Sequence, residues 1–387
     1  MAALVLTCGI FAFPRTARAA AGDLALHNPY ASVDFASAGQ YKANLHTHTT
    51  ESDGAHHSQT VFDKYAELGY DFLALTDHDV YKSFDARGVT NMHGIVGIPG
   101  NEYSGAQHVG SLFNTTTRSF GSTSEEIAAG AAASGGEGRF VINHPGRNAV
   151  FVMETLSGKG LYSAEWFAEL YLSNSEAFGM EVYNQQNRYP NDRIIWDRVL
   201  IETLPTRAVW AVAADDNHGA HYGYNAVIAL LQEEDKTPAG LRDALDAGAF
   251  FATSFVAGLP SLGTARWDDA PAVDDIIVDA AAGTITIEAR NCSNIQWITG
   301  DKQTGTRVIA EGADLTVFNY KENTDKINKY VRPLLINQTG EITCETIIQP
   351  FAVARPPKSG CNAGAANAAV PLVLFCAVFF IKTSSRH

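Results

Sequence analysis

Asn44-Leu45-His46-Thr47-His48-Thr49 closes an apolar run that starts at Tyr41, and the way this stretch recurs along the chain decides the fold class. Side chains alternate faces along a strand, so His46 and His48, two residues apart, point the same way. Two histidines on one polar strand face are more often solvated than ligating, but the arrangement is repeated. Asp53-Gly54 follows as a turn that aims the aspartate back toward the pair. Val61, Tyr65 and Leu68 form an apolar helical stripe that stops at Gly69, and the strand Phe72 to Leu75 then runs into Thr76-Asp77-His78-Asp79. Ile95 to Ile98 leads to Pro99-Gly100-Asn101-Glu102, and His108 opens the run Val109 to Phe113. Val141-Ile142-Asn143 carries His144-Pro145-Gly146-Arg147, and Val209 to Ala214 carries Asp215-Asp216-Asn217-His218.

Apolar strands alternating with helix-like segments predict an α/β fold, a parallel sheet or barrel, with functional residues at the carboxyl ends of the strands. His46, His48, Asp53, His78, Glu102, His108, His144, Asp216 and His218 all belong to those ends. A single buried histidine would be explained by one hydrogen bond; nine imidazoles and carboxylates together exceed what one ion needs. Such donors suit Zn, Mn and Fe nearly alike, and two or three divalent metal ions are implied. His93 competes with His108 for its place and Asp215 with Asp216, although the Asp-x-His spacing selects Asp216. Asp77 and Asp79 flank His78 and are expected to orient imidazoles.

The motifs His46-Thr47-His48, Ser52-Asp53-Gly54, Thr76-Asp77-His78-Asp79, Gly100-Asn101-Glu102, His144-Pro145 and Asp216-x-His218 resemble those of the PHP family, the polymerase and histidinol phosphatase domain, over roughly residues 40 to 255. The resemblance implies a distorted (β/α)7 barrel with up to three Zn, Mn or Fe ions. It implies one ion on His46, His48, Glu102 and Asp216, a second on Glu102, His108 and His144, and a third on Asp53, His78 and His218. The activity implied is phosphoester hydrolysis: a hydroxide between two cations attacks phosphorus, Asp216 and His218 serve as catalytic groups at the metals, and Arg147 contacts the phosphate through its planar fork. Small phosphate mono- or diesters, nucleotides among them, are the expected substrates. Two other readings stay open: a 5′-3′ exonuclease trimming short oligonucleotides, and a non-catalytic metal-containing binding protein of the cell envelope.

Other chemistries lack their signatures, since the chain has no GxSxG elbow, no phosphate loop ending in Gly-Lys-Ser/Thr and no HExxH helix. The net charge of −14, from 28 basic and 42 acidic side chains, argues against long nucleic acid as a partner. A small phosphorylated substrate or a short oligonucleotide is compatible with it, because bound cations reverse the sign locally.

Within the 387 residues, 1–19 read as a signal peptide ending in Ala17-Arg18-Ala19, and 20–258 as the metal-binding α/β domain. After the Gly258-Leu259-Pro260 break, residues 259–355 alternate in a strand-like manner and suggest a small all-β, sandwich-like domain. Cys292 and Cys344 fall in it and are candidates for a disulfide in an oxidising compartment. Residues 356–387 combine Ser359-Gly360-Cys361, the apolar stretch Ala368 to Ile381 and a basic tail, which reads as a sorting or anchoring segment. Export is expected, with the protein held at the cell envelope or surface through that segment, in contact with the membrane. The segments Val80 to Gly94 and Ala149 to Ala164 are expected to overhang the pocket mouth.

Overall fold

A computed structural model describes residues 24–148, 161–220, 222–258 and 267–355. The expected signal peptide, the C-terminal sorting segment and most of the 149–164 loop lie outside the described residues. Among the described residues no helix is long and apolar enough to cross a membrane.

The strands that carry the site belong to two sheets. The first joins β1 (Ala25–His27), β2 (Gly39–Asn44), β3 (Phe72–Ala74) and β4 (Val96–Ile98) to later strands, and β2, β3 and β4 run parallel. The second holds β5 (Gly100–Ser104), β6 (His108–Leu112), β7 (Arg139–Ile142), β8 (Ala177–Asn184) and β9 (Trp210–Ala214) in that order. The β7–β8 and β8–β9 pairs are parallel, but β5–β6 and β6–β7 are antiparallel. The expected all-parallel arrangement therefore fails at β6, for a local reason: the short link Gly105 to Gln107 is too short for a crossover and forces a hairpin. β10 (Asn225–Leu231) and β11 (Phe250–Ala257) return antiparallel to the first sheet, beside β2. Mixed α/β is thus the observed class.

Helices cover these sheets where caps and apolar stripes direct them. α1 (Ser58–Glu67) buries Val61, Phe62 and Tyr65 and ends before Gly69, whose φ of 69° reverses the chain. α2 (Thr123–Ala133) opens with a capping box between Ser122 and Glu125, and α3 (Ala164–Ser173) with the Ser163 hydroxyl accepting from Trp166 N–H. α4 (Asn191–Thr203) is buried on nearly every side, lying between β8 and a later β hairpin. α5 (Pro238–Ala247) has Thr237 as its cap, Pro at its start and Gly248 in the left-handed region at its end.

The C-terminal region is β-rich as expected, but it is not set apart from the sheet that precedes it. It contains β12 (Ala272–Asp279), β13 (Thr284–Arg290), β14 (Asn294–Asp301), β15 (Gly305–Gly312), β16 (Val317–Asn319), β17 (Tyr330–Thr339), β18 (Ile342–Ile348) and β19 (Phe351–Ala354). β18 pairs along β11, so one sheet runs from β4 through β2, β10, β11 and β18 to β17, β19 and β1, with the β14–β15 hairpin attached to β17. The boundary at 258/259 divides the sequence and leaves the hydrogen-bonded sheet whole, because the unpaired edge of β11 is completed by β18. The three-stranded sheet β12–β13–β16 packs its Val273, Ile276, Ile285, Ile287 and Phe318 onto Trp297, Val331 and Leu335 of the large sheet, a two-layer packing.

A buried ion pair fastens the two regions. Arg332 on β17 donates from Nε to Asp197 Oδ1 (2.8 Å) and from Nη2 to Oδ2 (2.7 Å), Thr306 and Tyr330 hydroxyls donate to the same carboxylate, and the guanidinium lies over Trp196. Cys292 and Cys344 are both unbridged. Cys344 packs with Tyr224, Phe255 and Ala270, whereas Cys292 adjoins the Trp297 cluster, so the expected disulfide does not form.

Candidate metal centre

Two isolated bridges between strand ends assemble the site. Thr47 pairs in parallel with Asn217, and His48 N–H donates to Asn217 C=O at 2.9 Å. Alternation then puts His46 and His48 on one side, Asp216 and His218 on the same side, and Thr47 toward Asn44 and Tyr65 beneath. The second bridge sets His78 beside Glu102. Gly54 is required where the Asp53 turn crosses this segment, since a Cβ there would sit 2.5 Å from His48 C and O.

All nine sequence-predicted side chains fall in one connected cluster of donor atoms, with Glu102 on its buried side. His46 Nε2 lies 3.2 Å from Glu102 Oε1, 3.2 Å from Asp216 Oδ1 and 3.1 Å from His48 Nε2. Glu102 also meets His78 Nδ1 (2.9 Å), His108 Nδ1 (3.1 Å) and His144 Nε2 (3.4 Å). Asp53 faces His218 Nε2 (3.3 Å), His78 Nε2 (3.4 Å) and His48 Nδ1 (3.7 Å). Four sets of donor atoms lie within 4.8 Å of one another: His48, Asp53, His78 and His218; His46, His48 and Glu102; His46, His144 and Asp216; and His78, Glu102 and His108. The groups overlap: His144 lies 3.4 Å from Glu102 Oε1, where His108 also converges, and 4.0 Å from Asp216 Oδ2, and His78 is shared between Asp53 and Glu102.

A divalent cation fits these donors. Glu102 Oε2 and Asp216 Oδ1 are buried among imidazole nitrogens, yet neither has a donor in hydrogen-bonding geometry. An oxygen so placed is costly without a positive partner. Burial works to raise both carboxyls, but His46 and the other surrounding imidazoles hold them well below the ordinary carboxylate range. For His46, burial works to depress the imidazole, and Asp216, Glu102 and Glu181 outweigh it and keep it well above its ordinary value. His48 is lowered, chiefly by its own burial. Such opposed shifts mark a site arranged for charge. Backbone strain concentrates here too: His144 (φ 28°), Asp216 (44°), Asp79 (53°) and Gln185 (45°) all occupy positive φ.

The rivals are separated by position. His93 is exposed and paired with Asp63, away from the site. Asp215 points under it and accepts from Tyr65 O–H and from the Gly223, Tyr224 and Asn225 N–H groups, while burial pushes its pKa up to about 7. Arg147 is exposed, with Nη1 3.1 Å from His108 Nε2. Asp77 and Asp79 do not orient imidazoles. Asp77 takes Thr49 N–H and O–H, Ser52 O–H and buried Arg87, and Asp79 takes Ser104 N–H and Arg118, because Asp77 turns back onto the loop after His48 and Asp79 onto the end of β5 beyond Glu102. The segment Val80 to Gly94 does not simply overhang: Phe84, Val89 and Met92 pack onto α1 and β3.

Three residues that hold these donors in place were not singled out in the sequence. Asn143 Nδ2 donates to Glu102 Oε1 (2.8 Å), Gln185 Nε2 to Asp216 Oδ2 (3.2 Å), and Glu181 contacts His46 Nδ1 (2.8 Å). A signal for Glu181 was present: it is the one charge inside the wholly buried strand β8, Ala177 to Asn184.

No family model and no curated protein matches this sequence. Among solved structures, a two-domain protein from Bacteroides vulgatus containing a PHP-like metal-dependent phosphoesterase is similar at 14% identity and a TM-score of 0.47, covering 88% of this chain and 99% of that one. An amidohydrolase from Chromobacterium violaceum, with bound sulfate and no metal, is similar at 16% identity and TM-score 0.34, over 46% of this chain and 87% of that one. A metal-dependent phosphoesterase from Bifidobacterium adolescentis gives 14% and 0.33 over the same shares. At these values the likeness carries no functional argument.

Proposed function

We propose that this protein is a metal-dependent phosphoesterase that hydrolyses small phosphate mono- or diesters, nucleotides among them. The observation that carries the reading is the convergence of nine imidazole and carboxylate side chains into four donor groups linked through shared histidines and Glu102, with buried carboxylate oxygens that lack a donor. Divalent cations supply Lewis acidity, which makes a coordinated water a nucleophile near neutral pH and offsets charge on phosphoryl oxygens. His46, His48, Glu102, His144 and Asp216 would hold them on the buried side, and Asp53, His78, His108 and His218 on the open side.

That asymmetry sets the direction of approach. The side chains of Asp53, His218 and His78 are 55%, 34% and 25% exposed, against 1% for Glu102. Substrate reaches the centre from the Asp53 side. Arg147, exposed next to His108, takes a phosphoryl oxygen through its planar guanidinium. Asp216, buried and strongly ionised, remains a ligand, and His218 acts beside it at the open side, its Nδ1 3.0 Å from the Asp216 carbonyl oxygen, while water in the open cleft would supply the proton to the leaving oxygen. We read the two sheets as halves of a distorted (β/α)7 barrel, and the terminal segments as support for a place at the cell envelope.

The test uses the protein stripped with chelator and resupplied with Mn or Zn, beside Asp216→Ala. Substrates are p-nitrophenyl phosphate, bis(p-nitrophenyl) phosphate and a short 5′-phosphorylated oligonucleotide. Metal-restored turnover lost in Asp216→Ala is expected, and the preferred substrate separates monoesterase, diesterase and exonuclease. Metal uptake without turnover on any of the three would overturn the reading in favour of a binding role.

A further inference from the structure

On the reading of the site as a metal centre, we propose that Glu181 is a positioning residue that sets the tautomer of His46 and fixes the group formed by His46, His144 and Asp216. Glu181 is 1% exposed on β8, between Met180 and Val182, which are also buried. Its Oε1 lies 2.8 Å from His46 Nδ1. Its Oε2 accepts His144 N–H at 2.8 Å and Asn184 Nδ2 at 3.0 Å, and the same Asn184 amide donates to Asp216 Oδ2 at 3.2 Å. One carboxylate therefore reaches all three members of one donor group, the first through its ring, the second through its backbone and the third through an amide.

An ionised carboxylate can only accept, so the His46 nitrogen that faces it carries the hydrogen. A cation at this group would take the place of the second proton, so that Nε2, which lies 3.1–3.2 Å from Glu102, Asp216 and His48, becomes the ligating nitrogen while Nδ1–H stays on Glu181. Carboxylate support behind a ligating histidine fixes ring orientation and raises its basicity. The bond to His144 N–H has a second effect. His144 sits at φ 28°, an unfavourable angle for a residue with a Cβ, and Glu181 anchors the backbone there. A purely structural strand position would be filled better by an apolar side chain, as its neighbours are.

Glu181→Gln tests this with little change in shape. Its carboxamide has one accepting oxygen and one NH2 group, so whichever way it turns a donor is set against either His46 Nδ1–H or His144 N–H. The expected result is a loss of about 10- to 100-fold in affinity for at least one zinc equivalent, read by titration calorimetry of chelator-stripped protein. Long-range 1H–15N spectra of the zinc-loaded, 15N-histidine-labelled protein should show His46 as the Nδ1–H form in the wild type and a changed pattern in Glu181→Gln. Every equivalent bound with wild-type affinity, and an unchanged His46 signal, would overturn the role. Should Glu181→Gln not fold, Asn184→Ala carries the test: weakened binding of one equivalent supports the network and wild-type affinity overturns it. A wild-type protein that takes up no zinc overturns the metal-centre reading and this role with it; wild-type uptake with an unaffected variant overturns the role alone.

Discussion

Arg332→Met should destabilise the whole molecule while leaving the metal donors in place. Arg332 and Asp197 are 1% and 0% exposed, and the guanidinium meets both carboxylate oxygens in a bidentate geometry. Methionine keeps much of the packing on Trp196 but removes the charge, leaving the Thr306 and Tyr330 hydroxyls as the remaining side-chain donors to Asp197. Breaking one side of such a pair costs about 3–5 kcal/mol, because the surviving charge stays buried. The pair joins α4 to β17, so the loss falls on the contact between the α/β region and the C-terminal strands. Urea unfolding followed by circular dichroism reads it, with the zinc equivalents bound in the absence of urea as the internal control. Replacing both partners, Arg332→Met with Asp197→Leu, should recover most of the loss, since the desolvation of two ions disappears with them. A single variant within about 1 kcal/mol of wild type would refute the argument that this ion pair fastens the two regions.

Two further outcomes follow from particular atoms. Asp192, fully buried at the start of α4, is raised well above its ordinary value by burial, which the hydrogen bond from Gly146 N–H only partly offsets. The folded state then binds the proton more tightly than the unfolded chain, so this group favours folding below the unfolded pKa near 3.8 and loses that contribution as pH rises toward the raised value. Asp192→Asn should therefore gain stability on wild type as pH rises from 4 to 7, measured by urea unfolding at both values, and a gain that shrinks with rising pH would contradict the sign. Gly54→Ala places a Cβ 2.5 Å from the His48 backbone and must shift the Asp53 turn. Weakened binding at the open side is expected, with the buried donors retained; calorimetric titration that matches wild type would show that the turn tolerates the methyl group.

How much of this was legible beforehand follows from the range of each interaction. The two-residue alternation of a strand is a property of the backbone, so His46 with His48 and Asp216 with His218 could be read as ligand pairs without knowing what lay beside them. The same locality made the α1 stripe, the Gly69 stop and the strand ends legible. Sequence spacing also chose Asp216 over Asp215, and the structure puts the two carboxylates on opposite sides of the same segment.

What only the tertiary structure decided involves partners far apart in the chain. Glu181 reaches His46 across 135 positions, and no local pattern announces which imidazole a buried carboxylate will meet. The placement of His78 beside Glu102, and of Asp216 beside His46, depends on the His78–Glu102 and Thr47–Asn217 bridges, which are backbone contacts between separate segments, and that of His144 on its N–H bond to Glu181. Asp77 and Asp79 adjoin His78 in sequence and still turn away from it, toward arginines supplied by other loops. The C-terminal strands alternate as an independent β unit would, yet β18 completes the open edge of β11, because unsatisfied backbone groups at a sheet edge take the strand that packing brings alongside. The sequence by itself determined which residue types stand at the strand ends and which way each points; the fold decided which of them come within reach of one another, since that depends on distances set by packing between segments rather than by the chain that joins them.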